Sequence, residues 1–290
     1  MAKTSARARS EFAVAAVILA GICFGTTGTS QTLYGKGVNP LVVGSTRLFV
    51  GAIALWLISL KDKTNLNFPK KQLWICALGV AGYQLAFFSA VHLTGVAIAT
   101  ITALGSSPVF TGLLAWRLGH EKPSRVWMIA TAITSVGILT LNAHSGNSSV
   151  SVPGVLLALC SGAGFSAFNV VGRKVLTTGY PLSHFVARSF ALAALLIFPF
   201  TFIQNLSWLT TSRGVGLVLW LGIVATALAY TLYGFGLSHL KASNASTLVL
   251  AEPVTATILS VTVLHNHLSI TSWCGVVLVI VGLLYLGVKG

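Results

Sequence analysis

Of the chain's four acidic residues, Glu11, Asp62 and Glu121 lie at the ends of apolar runs or outside them, and Glu252 alone lies inside one. The next residue, Pro253, removes a backbone donor and loosens a helix at that point. A carboxylate in hydrocarbon costs at least ~2.5–3.5 kcal/mol on insertion scales, so it should face a partner or a wet cavity. Three chemistries are open to it: a structural hydrogen bond or ion pair, a counter-charge for a substrate ammonium, or a proton-coupling carboxyl. On depth the best charge partner is Arg188, roughly 10 Å from the inner end of its run against roughly 15 Å for Glu252. Arg47 enters from the other side, and its long stem is better suited to reaching the lipid head groups.

An earlier run repeats the broken pattern as Ser106-Ser107-Pro108-Val109. Pro108 and Pro253 are therefore the expected hinges. Ser106 and Ser107 are placed either to cover the carbonyl that the proline frees or to line a cavity. The neighbouring runs present helix faces. Tyr83 shares one with Phe87, Gln84 with Phe88, Phe165 with Asn169, and Tyr230 with Tyr233. A phenol or amide at midspan has no partner in lipid. These residues are therefore the candidate lining of a substrate cavity, with interhelical packing the competing role for the aromatics.

No residue set here supports catalysis. There is no glycine-rich Lys-Ser/Thr phosphate loop, and four dispersed acids cannot form a carboxylate pair or a nucleophile–base set. His265 and His267 are too few for a metal site, and Cys23, Cys76, Cys160 and Cys274 fall in different runs without metal or redox spacing. No enzyme activity, cofactor or metal is expected.

The elements that must position these groups are membrane helices. In 290 residues, 55% are hydrophobic and 8% charged, and the apolar residues fall in blocks of about 20, enough to cross ~30 Å of hydrocarbon. Ten spans are expected, at 11–34, 40–60, 71–92, 95–117, 124–142, 153–172, 181–203, 214–237, 242–264 and 270–288. With both termini inside, fourteen Lys and Arg fall in inner segments and only Lys36 and Arg213 in outer ones. That asymmetry is the positive-inside pattern of a multipass membrane protein. The net charge of +14 is thus a topology device, and no nucleic-acid partner is implied. The first run follows Lys3, Arg7 and Arg9 as a secretory signal would, but its mid-chain repeat partner marks it as a retained span.

That repeat is the most specific pattern in the chain. A shift of 141 lays Gly21 on Gly162, Phe24 on Phe165, Pro40 on Pro181 and Arg47 on Arg188. A shift of 147 lays Tyr83 on Tyr230, and one of 145 lays Pro108 on Pro253. Five spans per unit is an odd number, so the second unit must insert upside down. The expected fold is all-α and integral to the membrane: ten transmembrane helices as two inverted-topology five-helix repeats, the plan of many secondary transporters. Residues 1–10 form an inner tail, 11–142 the first repeat, 143–152 an outer linker and 153–290 the second repeat. Gly21 and Gly25, mirrored by Gly162 and Ser166, read as a close-packing seam. The fifth and tenth spans, with little polarity, are expected to pack outside the core as supports.

The two five-helix units, the Pro108-Val109-Phe110 and Glu252-Pro253-Val254 helices and the Gly-Leu-Leu-rich last span resemble the drug/metabolite transporter superfamily of the EamA type. Within it the chain is similar to bacterial aromatic amino acid exporters. The resemblance implies alternating access, a small organic substrate (amino acids, aromatic ones among them) and the lipid bilayer as the other partner. Drugs or other metabolites would suit the same lining, and a passive channel or a membrane enzyme is the different-class alternative. One departure stands out: the family's Gly-Glu pair after the fourth span is Gly119-His120-Glu121 in the first half but His265-Asn266-His267 in the second.

Overall fold

The computed structural model describes residues 2–34, 38–62, 69–118, 121–141, 151–203 and 205–289, apart from the side chains of 2–8 and 96–97. It is helical throughout, and each expected span has its helix. These are α1 (Ala2–Tyr34), α2 (Pro40–Ser59), α3 (Lys70–Gly95), α4 (Ile98–Arg117), α5 (Arg125–Leu141), α6 (Val152–Thr177), α7 (Leu182–Ile203), α8 (Ser212–His239), α9 (Ala242–Thr262) and α10 (Ile270–Lys289). Nine are long and apolar enough to cross a bilayer. The tenth, α5, has 17 residues, a rise of about 25 Å. The helix of α1 runs back to Ala2, so the expected tail continues it; Ala and Arg are good helix formers. The expected linker lies outside the described residues up to Ser151, which caps α6 by accepting from Gly154 N.

Local chemistry sets the ends and breaks. Asn39 caps α2 through Leu41 N, and Pro40 takes the first helical position, where no donor is needed. Gly95 separates α3 from α4 with φ 81° and ψ 160°, backbone that a side chain would oppose. The last six residues of α7, from Phe198, tighten into a 3₁₀ turn around Pro199. Within α8, Trp220–Leu228 widens into a π-helix, with the Thr226 hydroxyl donating to the Leu221 carbonyl five residues back.

The packing follows a pseudo-two-fold pattern. α2 packs on α7, and α5 on α10; α3 and α4 pack on α6, while their repeat mates α8 and α9 pack on α1. The seam glycines make the closest approaches. A Cβ at Gly21 would stand 2.9 Å from Val249 O, and one at Gly25 would stand 2.6 Å from Glu252 O. Their mates serve α4: Ser166 Oγ donates to Ser107 O (3.0 Å), and a Cβ at Gly162 would lie 3.0 Å from Ala103 O. α5 and α10 interlock through Gly137, Gly275 and Gly282. They stand beside α9, where the Trp127 indole donates to Ser243 O and Thr247 Oγ1, both 3.1 Å.

The two proline helices differ. α9 is interrupted at Val249–Leu250, three residues before Pro253, and restarts at Ala251. Pro253 therefore occupies the first turn of the new half-helix, where its missing N–H leaves no bond unmade. α4 runs unbroken through Pro108. The expectation of two broken helices thus holds for α9 and is corrected for α4.

Candidate functional site

Where the two halves meet, the repeat-related tyrosines join: the Tyr83 and Tyr230 hydroxyls are hydrogen-bonded to each other. Each ring meets an aromatic from the first helix of the opposite repeat. Phe24 of α1 stands edge-on to Tyr230 at 4.9 Å, and Phe165 of α6 stands edge-on to Tyr83 at 5.7 Å. Phe24 and Phe165 are themselves repeat mates, so the four rings form a box about the pseudo-two-fold axis. Tyr233 stacks on Phe165 at 5.6 Å.

Two charges act on this box. Glu252 lies in the first turn of the second half of α9, half-buried, where the helix dipole favours a negative charge. Among the described residues no hydrogen bond or ion pair reaches its carboxylate, and the cation whose field it feels is Arg47. Arg47 reaches in from α2 to the Tyr83 hydroxyl and donates through Nη2 to Gln84 Oε1 at 2.8 Å. Among the described residues its buried Nε has no partner. Gln84 is 2% exposed and is held by its own bond to Gly44 O at 2.7 Å, so it positions the guanidinium rather than lining a cavity.

Arg188 is not the charge beside Glu252. Its guanidinium donates to the Tyr180 hydroxyl at 2.8 Å, in the loop before its own helix. Burial pushes the Tyr180 pKa up, against the pull of Arg188, so that phenol stays neutral. The depth estimate could not foresee a nearer polar group on the same side of α7. Arg47, assigned to lipid from the sequence, is the residue that was missed. Its repeat pairing with Arg188 placed it at a comparable depth, and only the rotation of α2 aims it inward. Phe24 was also missed, although it pairs with Phe165 in the repeat.

The other candidates separate into two groups. Ser107 and Asn169 join a buried hydroxyl cluster between α4, α6 and α9. Ser107 Oγ is 3.4 Å from Ser246 Oγ, Thr111 Oγ1 donates to Ser166 Oγ (3.0 Å), and Asn169 Nδ2 is 3.5 Å from Thr111 Oγ1. Asn169 and the Tyr233 hydroxyl are buried beside each other, and among the described residues neither Asn169 Oδ1 nor that hydroxyl makes a well-formed hydrogen bond. Phe87 belongs elsewhere, packed on Phe88 at 5.6 Å and on an alanine cluster between α3, α4 and α6. Ser106 turns back to Ala103 O at 3.3 Å, beside the carbonyl freed by Pro108, and covers backbone.

At the basic end of the bundle Glu121 forms an ion pair with Arg173, accepts from Ala242 N at the start of α9 (3.0 Å), and meets Ser243 Oγ at 3.5 Å. Arg173 also donates to the carbonyls of Leu237 and Leu240. One acid thus ties α6, α8 and α9 together, over a recess of about 300 Å³. At the opposite end a recess of about 400 Å³ lies between α1 and α8, lined by Ser30, Tyr34, Arg213 and Trp220 among others.

The model of the EamA-like transporter family matches the sequence twice, over residues 11–143 and 152–288. The chain belongs to the EamA-like transporter family. The uncharacterized transporter YwfM of Bacillus subtilis (strain 168) is 37% identical over 92% of this chain and 91% of its own length. An uncharacterized transporter of Archaeoglobus fulgidus is 24% identical over 93% of this chain and 94% of its own. A solved protein crystal structure superposes with a TM-score of 0.82 at 20% identity, covering 94% of this chain and 95% of that one, which is a likeness of fold. This EamA chain is therefore a multipass membrane transporter built from two copies of one unit.

Proposed function

We propose that the chain is a secondary carrier that exports amino acids, aromatic ones among them, by alternating access across a bacterial cytoplasmic membrane, with both termini inside. The observation that carries this reading is the Glu252 carboxylate: half-buried within a span, without a hydrogen-bond partner among the described residues, and near enough to the four-ring aromatic box to act on Tyr83 and Tyr230. An unpaired carboxylate is too costly there to be retained for packing alone, and a substrate ammonium is the natural partner. Phe24, Phe165, Tyr83 and Tyr230 supply an apolar, polarizable surface for a side chain. With the Glu121–Arg173 end tied, the box is reached from the opposite, outer end; the inverted halves then exchange packings to open it inward.

The test is counterflow in proteoliposomes. Vesicles loaded with unlabelled L-phenylalanine should transiently accumulate labelled L-phenylalanine above equilibrium. Flux that only relaxes to equilibrium identifies a channel, and no flux of any amino acid overturns the substrate assignment.

A further inference from the structure

We infer that Arg47, held by Gln84, is the carboxylate-binding group of the central site, so that the site selects free zwitterionic amino acids over amines and amino acid amides. This rests on the amino-acid reading above and adds a second anchor to it. The sequence reading sent Arg47 to the lipid surface.

An arginine inside a span is retained only when it pairs, reaches water or works. Among the described residues no acid forms an ion pair with Arg47. One Nη is spent on a neutral amide oxygen, and the Nε is buried with nothing to donate to. A guanidinium presents its donors as a rigid fork that matches a carboxylate. Here one arm is fixed by Gln84, and the rest of the fork lies beside the Tyr83 hydroxyl, a neutral group that leaves its charge unmatched.

The repeat sharpens the point. Were the two-fold exact, the site would hold two arginines and two acids. Instead Arg188, the mate of Arg47, is drawn off by Tyr180, and the mate of Glu252 at the 145-residue offset is the neutral Ser107. Gln84 likewise has no amide counterpart, because Thr231 stands at its offset of 147 and donates to its own helix at Ala227 O. One half therefore contributes a single cation and the other a single anion, with the aromatic box between them. Such a site is neutral overall and strongly dipolar. A lone organic cation would meet Glu252 but also Arg47, whereas an α-amino acid satisfies both.

The experiment measures competition against labelled L-phenylalanine by four compounds: unlabelled L-phenylalanine, L-phenylalanine amide, phenethylamine and 3-phenylpropionate. On the native protein the free amino acid should compete roughly 10- to 100-fold better than the amide or amine, the range of one charge-assisted hydrogen bond. 3-Phenylpropionate, which lacks the ammonium, should also compete poorly. In Arg47→Gln the advantage of acid over amide should collapse to about twofold or less, while Arg47→Lys, which keeps the charge without the fork, should fall between. The ligand series on the native protein stands even if a variant does not fold. Equal competition by acid and amide in the native protein overturns the inference while leaving amino-acid transport intact. So does full discrimination in a folded Arg47→Gln protein. Absence of any L-phenylalanine binding overturns the aromatic part of the amino-acid reading, and this inference with it.

Discussion

At the scale of single residues, the centre of the molecule is a set of polar groups with few alternatives to one another. The Tyr83 and Tyr230 hydroxyls bond each other on the pseudo-two-fold axis. Removing one leaves the other without its partner, which costs about 1–3 kcal/mol, whereas removing both leaves no orphan. Tyr83→Phe and Tyr230→Phe should therefore each lower the unfolding midpoint in detergent, and the double variant should lose less than the sum. Strict additivity in that cycle would show the bridge to be unimportant. Glu252→Gln keeps size but loses charge. Binding of L-phenylalanine should weaken by roughly 10- to 150-fold, equivalent to ~1.5–3 kcal/mol, as read by equilibrium binding. Unchanged affinity in a stable Gln variant would leave Glu252 with a structural role only. Glu252 itself was legible in the sequence, because a lone acid in an apolar run has few explanations. Its companion was not, because rotation about α2 decides whether Arg47 meets lipid or protein.

At the scale of elements, the interruption of α9 is held by its neighbour. Gly25 of α1 lies against Glu252 O and Thr255, where a Cβ would sit 2.6 Å from both. Gly25→Ala should therefore cost about 1–3 kcal/mol by overpacking and should disturb substrate affinity. Gly28→Ala, three residues further along α1 with nothing within 4 Å of its Cβ position, should be neutral or stabilising by up to ~1 kcal/mol. Thermal unfolding of the two variants side by side is the check; equal effects would detach the break from the seam. This geometry also moves the proposed hinge of α9 from Pro253 to Val249–Leu250, since a proline in the first turn of a half-helix breaks nothing. In α4, where Pro108 sits in mid-helix, hinging at the proline remains the proposal.

At the scale of the whole molecule, the two ends are closed by different means. Glu121, 6% exposed, draws Arg173 and the start of α9 together at the basic end. The offset of 145 places Asn266 at the corresponding point of the other end, bonded back to Ser260 near the end of α9. The ionic tie is thus one-sided, and the resting carrier should favour the state closed at the basic end. Glu121→Gln removes one charge from a largely buried pair, a loss of about 3 kcal/mol from that state. In a background with the four native cysteines replaced, Val170→Cys, at the tied end, should then label several-fold faster with a membrane-impermeant thiol reagent. Labelling at the native rate would show that the pair does not hold this end shut.

The membrane architecture is written in the sequence, because hydrocarbon leaves an apolar segment few options: about 20 residues, a helix, charges outside. Ten spans and two repeats follow from hydropathy and self-similarity, and the same two signals single out Tyr83, Tyr230 and Glu252 as candidates. Tertiary structure decided what depends on helix rotation and on competition between partners. Arg47 turned inward and Arg188 turned to Tyr180 although the repeat makes them equivalent, since each guanidinium takes the nearest acceptor its own helix face allows. Phe87 shares a heptad-like face with Tyr83 yet packs elsewhere, and the π-helix before Tyr230 has no sequence signature. A repeat reveals which residues correspond; only the packed structure shows where correspondence fails, as it does where Arg188 turns to Tyr180 and Arg47 to Gln84.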